Sequence, residues 1–354
     1  MSPLDTRATL DAHRTVRMSP LLSPALLRDE LPVDDRAASV VTRGRADVVD
    51  ILDGRDDRLL VVVGPCSIHD PEAALDYAQR LAARAERLSG DLCVVMRTYF
   101  EKPRSTVGWK GLINDPGLDE TFDVNRGLRT ARRLLLDITA LGLPVGCEFL
   151  DPITPQFLSD IVTWGSIGAR TAASQVHRQL VSALSMPVGI KNGTDGDVQV
   201  AVDGIGAAAA SHVFMGINAD GLAALVRTTG NPDAHVILRG GSAGPNHTAA
   251  DLAATRDLLA RAGLPQRVVV DASHGNSGKD HVRQAEVVRE IAARIEGGDT
   301  GVTGLMMESF LEAGNQPLSG ELTYGKSITD KCMDWATTET LLDDLAAAVR
   351  TRRR

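Results

Sequence analysis

Short, almost wholly apolar runs recur along the chain, and each ends in a residue able to hold a metal, an anion or a proton. LLVVVGPC ends at Cys66, LCVVMR at Arg97, LPVGCE at Glu148, IGAR at Arg170, PVGIK at Lys191, VILR at Arg239, VVVDASH at His274 and VTGLMME at Glu308. Runs rich in Val, Ile and Leu and bounded by Gly or Pro predict strands buried on both faces, the pattern of a parallel sheet. Helical stretches separate most of them. Eight parallel strands alternating with helices predict an α/β fold, a closed (β/α)₈ TIM barrel, whose chemistry sits where the carboxyl ends of the strands converge.

The helices carry their own start signals. Asp70 can cap and Pro71 can open a helix through EAALDYAQRLAARAERL, and Thr154 with Pro155 promises another in the same way. Asp195 or Asp197 precedes a helix over VQVAVDGIGAAAA, and further helices are predicted over 247–262, 280–295 and about 338–350. Residues 1–58 hold no strand run, but 35–53 has helical spacing of Val, Ile and Leu. The expected organisation is an N-terminal arm, oligomerising or regulatory, over 1–58, and a catalytic barrel over 59–354. A ninth apolar run, HVFMGIN, ends without a charge or a strong metal donor. With the following LAALVRT it predicts a hairpin inserted at about 211–232, between barrel strands 5 and 6, a reasonable place for control.

Composition fits one large soluble domain: 354 residues, 43% of them apolar, suffice for a sizeable core. The formal charge of −8 argues against a nucleic-acid or membrane partner, so any cluster of Lys and Arg must be local. The basic tail, Arg350 and Arg352 to Arg354, is expected to be solvated. No signal-peptide core interrupts the charges of the first thirty residues, and no run approaches the roughly 18 apolar residues of a membrane span, which predicts a cytoplasmic protein. Cys66, Cys93, Cys147 and Cys332 show no CxxC spacing and read as core or catalytic thiols.

Two constellations carry chemistry. Cys66, His274, Glu308 and, on a loop after the last strand, Asp330 in SITDKC offer a thiolate, an imidazole and two carboxylates, a set suited to a divalent first-row metal. His69, in the turn SIHDP, reads as a surface residue. Arg97, Lys102, Arg104, Arg170, Lys191 and Arg239 form the second set. Cations ending buried runs are costly unless anions neutralise them, so these residues predict substrates with several anionic groups. In TYFEKPRSTVGWKG, the hydroxyls of Ser105 and Thr106 beside Arg104 suggest a phosphate seat, and Tyr99, Phe100 and Trp109 suggest that the loop is packed.

The segments GPCSIHDP, RTYFEKPRSTVGWKGLINDP, GARTAASQVHR, GIKNGTDG, ILRGG, DASHGNSGK, MMESF and YGKSITDKC together resemble the type I 3-deoxy-D-arabino-heptulosonate 7-phosphate (DAHP) synthases, over about residues 30–350. The resemblance implies condensation of phosphoenolpyruvate with erythrose 4-phosphate, the first step of the shikimate pathway. It implies a metal on Cys66, His274, Glu308 and Asp330, with Mn²⁺ expected and Fe²⁺, Co²⁺ or Zn²⁺ as alternatives. Phosphoenolpyruvate would lie on Arg97, Lys102, Arg170, Lys191 and Arg239, with Glu148 nearby as an acid or base, and the erythrose phosphate on Arg104 and Ser105. Lys102, Cys66, His274 and Glu148 are the implied catalytic groups.

The resemblance also implies a homodimer or homotetramer and an aromatic amino acid effector, in a cavity matching Pro155, Leu184, Ser185, Phe214 and Gly216. Gly216 and the NADG turn at 218–221 depart from the pattern there, so the effector stays open. A sibling synthase that takes arabinose 5-phosphate is disfavoured by the KPRST loop. A metal-dependent sugar-phosphate aldolase would not need the second anion cluster, and an inactive sensor would tolerate loss of a ligand, none of which is lost.

Overall fold

The computed structural model describes residues 14–104 and 108–354. Eight parallel strands close a barrel through β1 (Leu59–Gly64), β2 (Leu92–Arg97), β3 (Val145–Glu148), β4 (Trp164–Ile167) and β5 (Val188–Lys191). After a two-stranded insertion come β8 (His235–Leu238), β9 (Val268–Asp271) and β10 (Gly304–Glu308), which pairs back onto β1. The insertion is an antiparallel hairpin, β6 (Val213–Ile217) and β7 (Ala223–Arg227), and β5 pairs directly with β8 beneath it. The ninth apolar run thus lies outside the barrel, between its fifth and sixth strands. No described helix is long and apolar enough to cross a membrane.

Strand periodicity explains two cores. In β1, Leu60 and Val62 point inward with Val95, Trp164, Ile237, Val269 and Met306, while Leu59, Val61 and Val63 face the surrounding helices. The inner cluster is closed by Val48, Ile51 and Leu52 from the arm helix Asp35–Leu52, which plugs one end of the barrel. Burying such side chains contributes about 1.5–3 kcal/mol each. A short helix, Pro24–Glu30, precedes it and has no counterpart in the sequence reading; Ser23 caps it through Leu26 N–H.

The helix starts expected at Asp70 and Asp280 stand where their caps do, whereas the helix expected after Asp195 or Asp197, Gln199–Ala209, follows Val198, which offers no side-chain cap. Asp70 accepts from Glu72 and Ala73 N–H at the start of Pro71–Arg87, and Asp280 does the same for His281–Glu296. Thr154 is different. Its helix is only Pro155–Leu158, and its hydroxyl donates instead to Glu101 Oε1 at 3.2 Å. One surface expectation also fails. His69 is 6% exposed and lies edge-on to Phe310. The basic tail is at the surface as expected, where Arg350 pairs with Asp91 and Arg353 with Asp57 and Asp91.

Candidate active site

Two strand ends and one tethered loop assemble the donor cluster. The β1–β10 register sets Gly64 opposite Glu308, and Cys66 follows two residues on. Asp330 comes from outside the barrel on a loop beginning at β12 (Lys326–Ser327), which pairs with β11 (Glu312–Asn315). That loop is stitched to the end of β10 by Met333 N–H donating to Glu308 O at 3.0 Å, and to β11 by reciprocal bonds between Gly314 and Cys332. One ligand atom each from Cys66, Glu308 and Asp330 lies within 4.8 Å of the others, a group able to hold a metal ion.

His274 stands beside this group on the turn after β9, its Nε2 3.7 Å from Glu308 Oε1. Its Nδ1 lies 2.7 Å from Ser273 Oγ, which donates to Asp271 Oδ1 at 2.5 Å. A hydroxyl whose proton goes to Asp271 accepts from Nδ1–H, and this leaves the Nε2 lone pair toward Glu308. Burial pushes the Cys66 thiol up, and Glu308 adds to that, while Lys102 and Arg97 oppose it. Lys102 Nζ is 3.1 Å from Cys66 Sγ. Burial acts to lower the Lys102 pKa, yet the facing Cys66 and Glu308 outweigh it and the net shift is upward, so the side chain stays an ammonium.

A cavity of about 690 Å³ opens above these residues, lined by Lys102, Arg104, Arg170, Lys191 and Arg239 together with Glu148, His274 and Asp330. A Cβ on Gly168 would overlap the Glu148 carboxylate, so only glycine leaves Glu148 its place. Gly240, at φ 71, lets the turn after Arg239 approach the backbone of Gly275 and Asn276, where a Cβ would come within 2.5 Å. Arg104 donates from Nε to Trp109 O at 2.8 Å, which orients it at the rim. Ser105 and Thr106 lie outside the described residues.

Arg97 does not line this cavity. It is fully buried beneath it, donating to Glu308 Oε1 at 2.8 Å, Pro65 O at 3.0 Å and Cys66 O at 3.3 Å, with its guanidinium 3.6 Å from the centre of the Tyr99 ring. Arg170 and His274 follow their strands by three residues, since β4 stops at Ile167 and β9 at Asp271. That difference hid Asp271, a fully buried acid 3.0 Å from Lys191 Nζ and 2.9 Å from His274 Nδ1. A lone acid inside the run VVVDASH was the signal for it. Lys279, which lines the cavity 3.6 Å from Asp330, carries no such signal.

Away from the mouth, a second cavity of about 490 Å³ is lined by Gln156, Leu184, Ser185, Val226 and Arg227. Of the residues expected there, Leu184 and Ser185 line it, while Pro155, Phe214 and Gly216 are not part of its lining; Phe214 pairs with Val226 across the hairpin. Gly216 is on the same hairpin face, where a Cβ would meet Val226 at 2.9 Å.

A closed parallel barrel with cations and a thiol–carboxylate cluster at one mouth defines a barrel enzyme for small, multiply anionic substrates. The family described as "DAHP synthetase I family" matches residues 30–343. A phospho-2-dehydro-3-deoxyheptonate aldolase of Corynebacterium glutamicum is 56% identical, over 99% of this chain and 97% of that protein. A Trp-sensitive one from Enterobacter agglomerans is 54% identical over 97% and 99%, and others are named Phe-sensitive or tyrosine-inhibited. The solved structure of the Francisella tularensis enzyme superposes with a TM-score of 0.95 at 46% identity, covering 96% of this chain and all of that one. The chain belongs to the DAHP synthetase I family.

Proposed function

We propose a division of labour among these residues for the reaction of this enzyme. The chain condenses phosphoenolpyruvate with erythrose 4-phosphate and water to give DAHP and phosphate. The observation that carries the assignment is the meeting, at one mouth, of six cations with the Cys66, Glu308 and Asp330 cluster. Lys191 takes the phosphoenolpyruvate carboxylate and Arg170 with Arg239 its phosphate, because Arg is suited to bidentate grips and Lys to a point contact. Arg97, buried beneath the cavity, holds Glu308 and the Cys66 carbonyl in place under the carboxylate seat. Arg104 meets the erythrose phosphate.

Cys66, Glu308, Asp330 and the Nε2 of His274 would hold one divalent ion, Mn²⁺ by expectation, which when bound supplies Lewis-acid polarisation of the aldehyde oxygen. Lys102, kept charged, donates a proton to the oxygen of the former aldehyde as C3 of phosphoenolpyruvate bonds to its carbon. Glu148, at the cavity wall, takes the proton of the water that adds at C2, and returns it to the departing phosphate as the C2–O bond breaks and the new hydroxyl becomes the ketone. Fixing both anions sets the approach of the reacting carbons.

An aromatic amino acid is the effector proposed for the second cavity, supported by the names of the relatives. Self-association is supported by Met18, Leu26, Met215, Leu222 and Leu225, all exposed on the arm and the hairpin beside it. Four free buried thiols accord with a reducing, cytoplasmic setting. The test is to strip the protein of metal, supply both substrates, add Mn²⁺ back and follow DAHP and phosphate. Metal-dependent formation of both is expected; product with arabinose 5-phosphate in place of erythrose 4-phosphate would favour the sibling activity.

A further inference from the structure

Asp271 ends β9 with its side chain wholly out of solvent, between two groups that belong to different parts of the site. On one side is Lys191 Nζ at 3.0 Å, on the other His274 Nδ1 at 2.9 Å, both measured from Oδ2. Oδ2 makes no aligned hydrogen bond, so these are contacts of charge. Oδ1 is different: it accepts from Ser273 N–H at 3.0 Å and from Ser273 Oγ, which in turn touches His274 Nδ1.

We propose that Asp271 is a positioning residue shared by two subsites, through which anion binding at Lys191 and divalent cation binding at His274 strengthen one another. This rests on the reading of Lys191 as an anion contact and of His274 as a metal ligand. The physical reason is that one buried carboxylate faces the Lys191 ammonium on one side and polarises the His274 imidazole on the other. An anion arriving at Lys191 takes over part of the ammonium's charge, and the Asp271 charge is then less compensated on that side. A cation beyond His274 compensates it on the other, through the imidazole and the Ser273 hydroxyl. Linkage requires the effect to be reciprocal, and couplings of this kind typically lie between about 5-fold and 150-fold.

The test uses Co²⁺ as the probe, read by the thiolate-to-metal absorption of Cys66 and not by turnover. Saturating phosphoenolpyruvate is expected to lower the Co²⁺ Kd of the wild type by about tenfold. In Asp271→Asn the ratio of Kd values with and without phosphoenolpyruvate should fall to within about twofold of unity. Arg170→Ala should weaken phosphoenolpyruvate binding yet keep the wild-type ratio at saturation. Asp271→Asn that binds both partners with the ratio intact would overturn the proposal.

Should Asp271→Asn not fold, Asp271→Ser reads the same link, because it removes the carboxylate that faces both Lys191 and His274; a reduced ratio supports the coupling and an unchanged one defeats it. The underlying metal assignment fails in a separate way, by a Co²⁺ absorption that persists in Cys66→Ser.

Discussion

Glu101 Oε1 accepts from Thr154 Oγ1 at 3.2 Å, which ties the loop after β2 to the segment after β3. The same carboxyl accepts from Asp151 N–H at 3.1 Å and Leu150 N–H at 3.3 Å. Burial pushes its pKa up to about 8, and Asp151 adds to that against these three donors. A folded-state value above the unfolded one means that the folded protein binds the proton more tightly. Its contribution to stability is therefore full below pH 4.5 and is lost as pH rises through about 8. Glu101→Gln should flatten the pH dependence of the Tm between those limits; an unchanged slope would remove Glu101 as its source.

His235 provides the opposite slope. Trp164 Nε1 donates to its Nε2 at 3.1 Å inside the barrel, and burial lowers its pKa from 6.5 to about 4. Protonation would destroy that acceptor, so the contribution is full above pH 6.5 and is lost as pH falls toward 4. The shift corresponds to roughly 3 kcal/mol at most. Between pH 7 and pH 5 this loss opposes the gain from Glu101, so it is read by urea unfolding at the two pH values in Glu101→Gln. Adding His235→Phe should remove the loss, at a pH-independent cost of about 1–3 kcal/mol from the unpaired indole N–H.

Substrate and metal roles separate by kinetics. Arg104→Ala should raise the KM for erythrose 4-phosphate about tenfold or more, with phosphoenolpyruvate little affected, as expected for loss of one charge-assisted grip. Lys191→Ala should do the reverse, and Cys66→Ser should act through metal affinity. Equal phenotypes for the three would contradict the assignment.

Arg132 is fully buried in Val124–Ala140 and fastens the arm to the barrel, donating to Leu31 O, Phe157 O and both oxygens of Asp160. Arg132→Met should cost about 3–5 kcal/mol in equilibrium unfolding, since it strands those acceptors. Arg353→Ala, at the surface tail, should cost under about 1 kcal/mol.

The barrel was legible because strands buried on both faces leave unbroken Val, Ile and Leu runs, and the hairpin because its run alone lacked a reactive end. The donor cluster was legible through residue chemistry and the family resemblance. What escaped depends on depth and on loop paths. An apolar run does not reveal where its strand stops, so Asp271 was passed over in favour of His274. Nor does it reveal which charges stay below the cavity floor, and Arg97 looked like the other cations. His69 and Thr154 follow turn and cap patterns that hold only when the side chain is free to reach its own backbone, and packing against Phe310 and Glu101 took both away.

The barrel ladder runs from β5 to β8 without using the hairpin for a single backbone bond. The hairpin can therefore lengthen, shorten or change its inward residues while the strands that carry Lys191 and Arg239 keep their register. With the proposed effector held by the hairpin, sensing and chemistry would be separately inheritable, and a lineage could exchange one controlling metabolite for another without reopening the catalytic mouth.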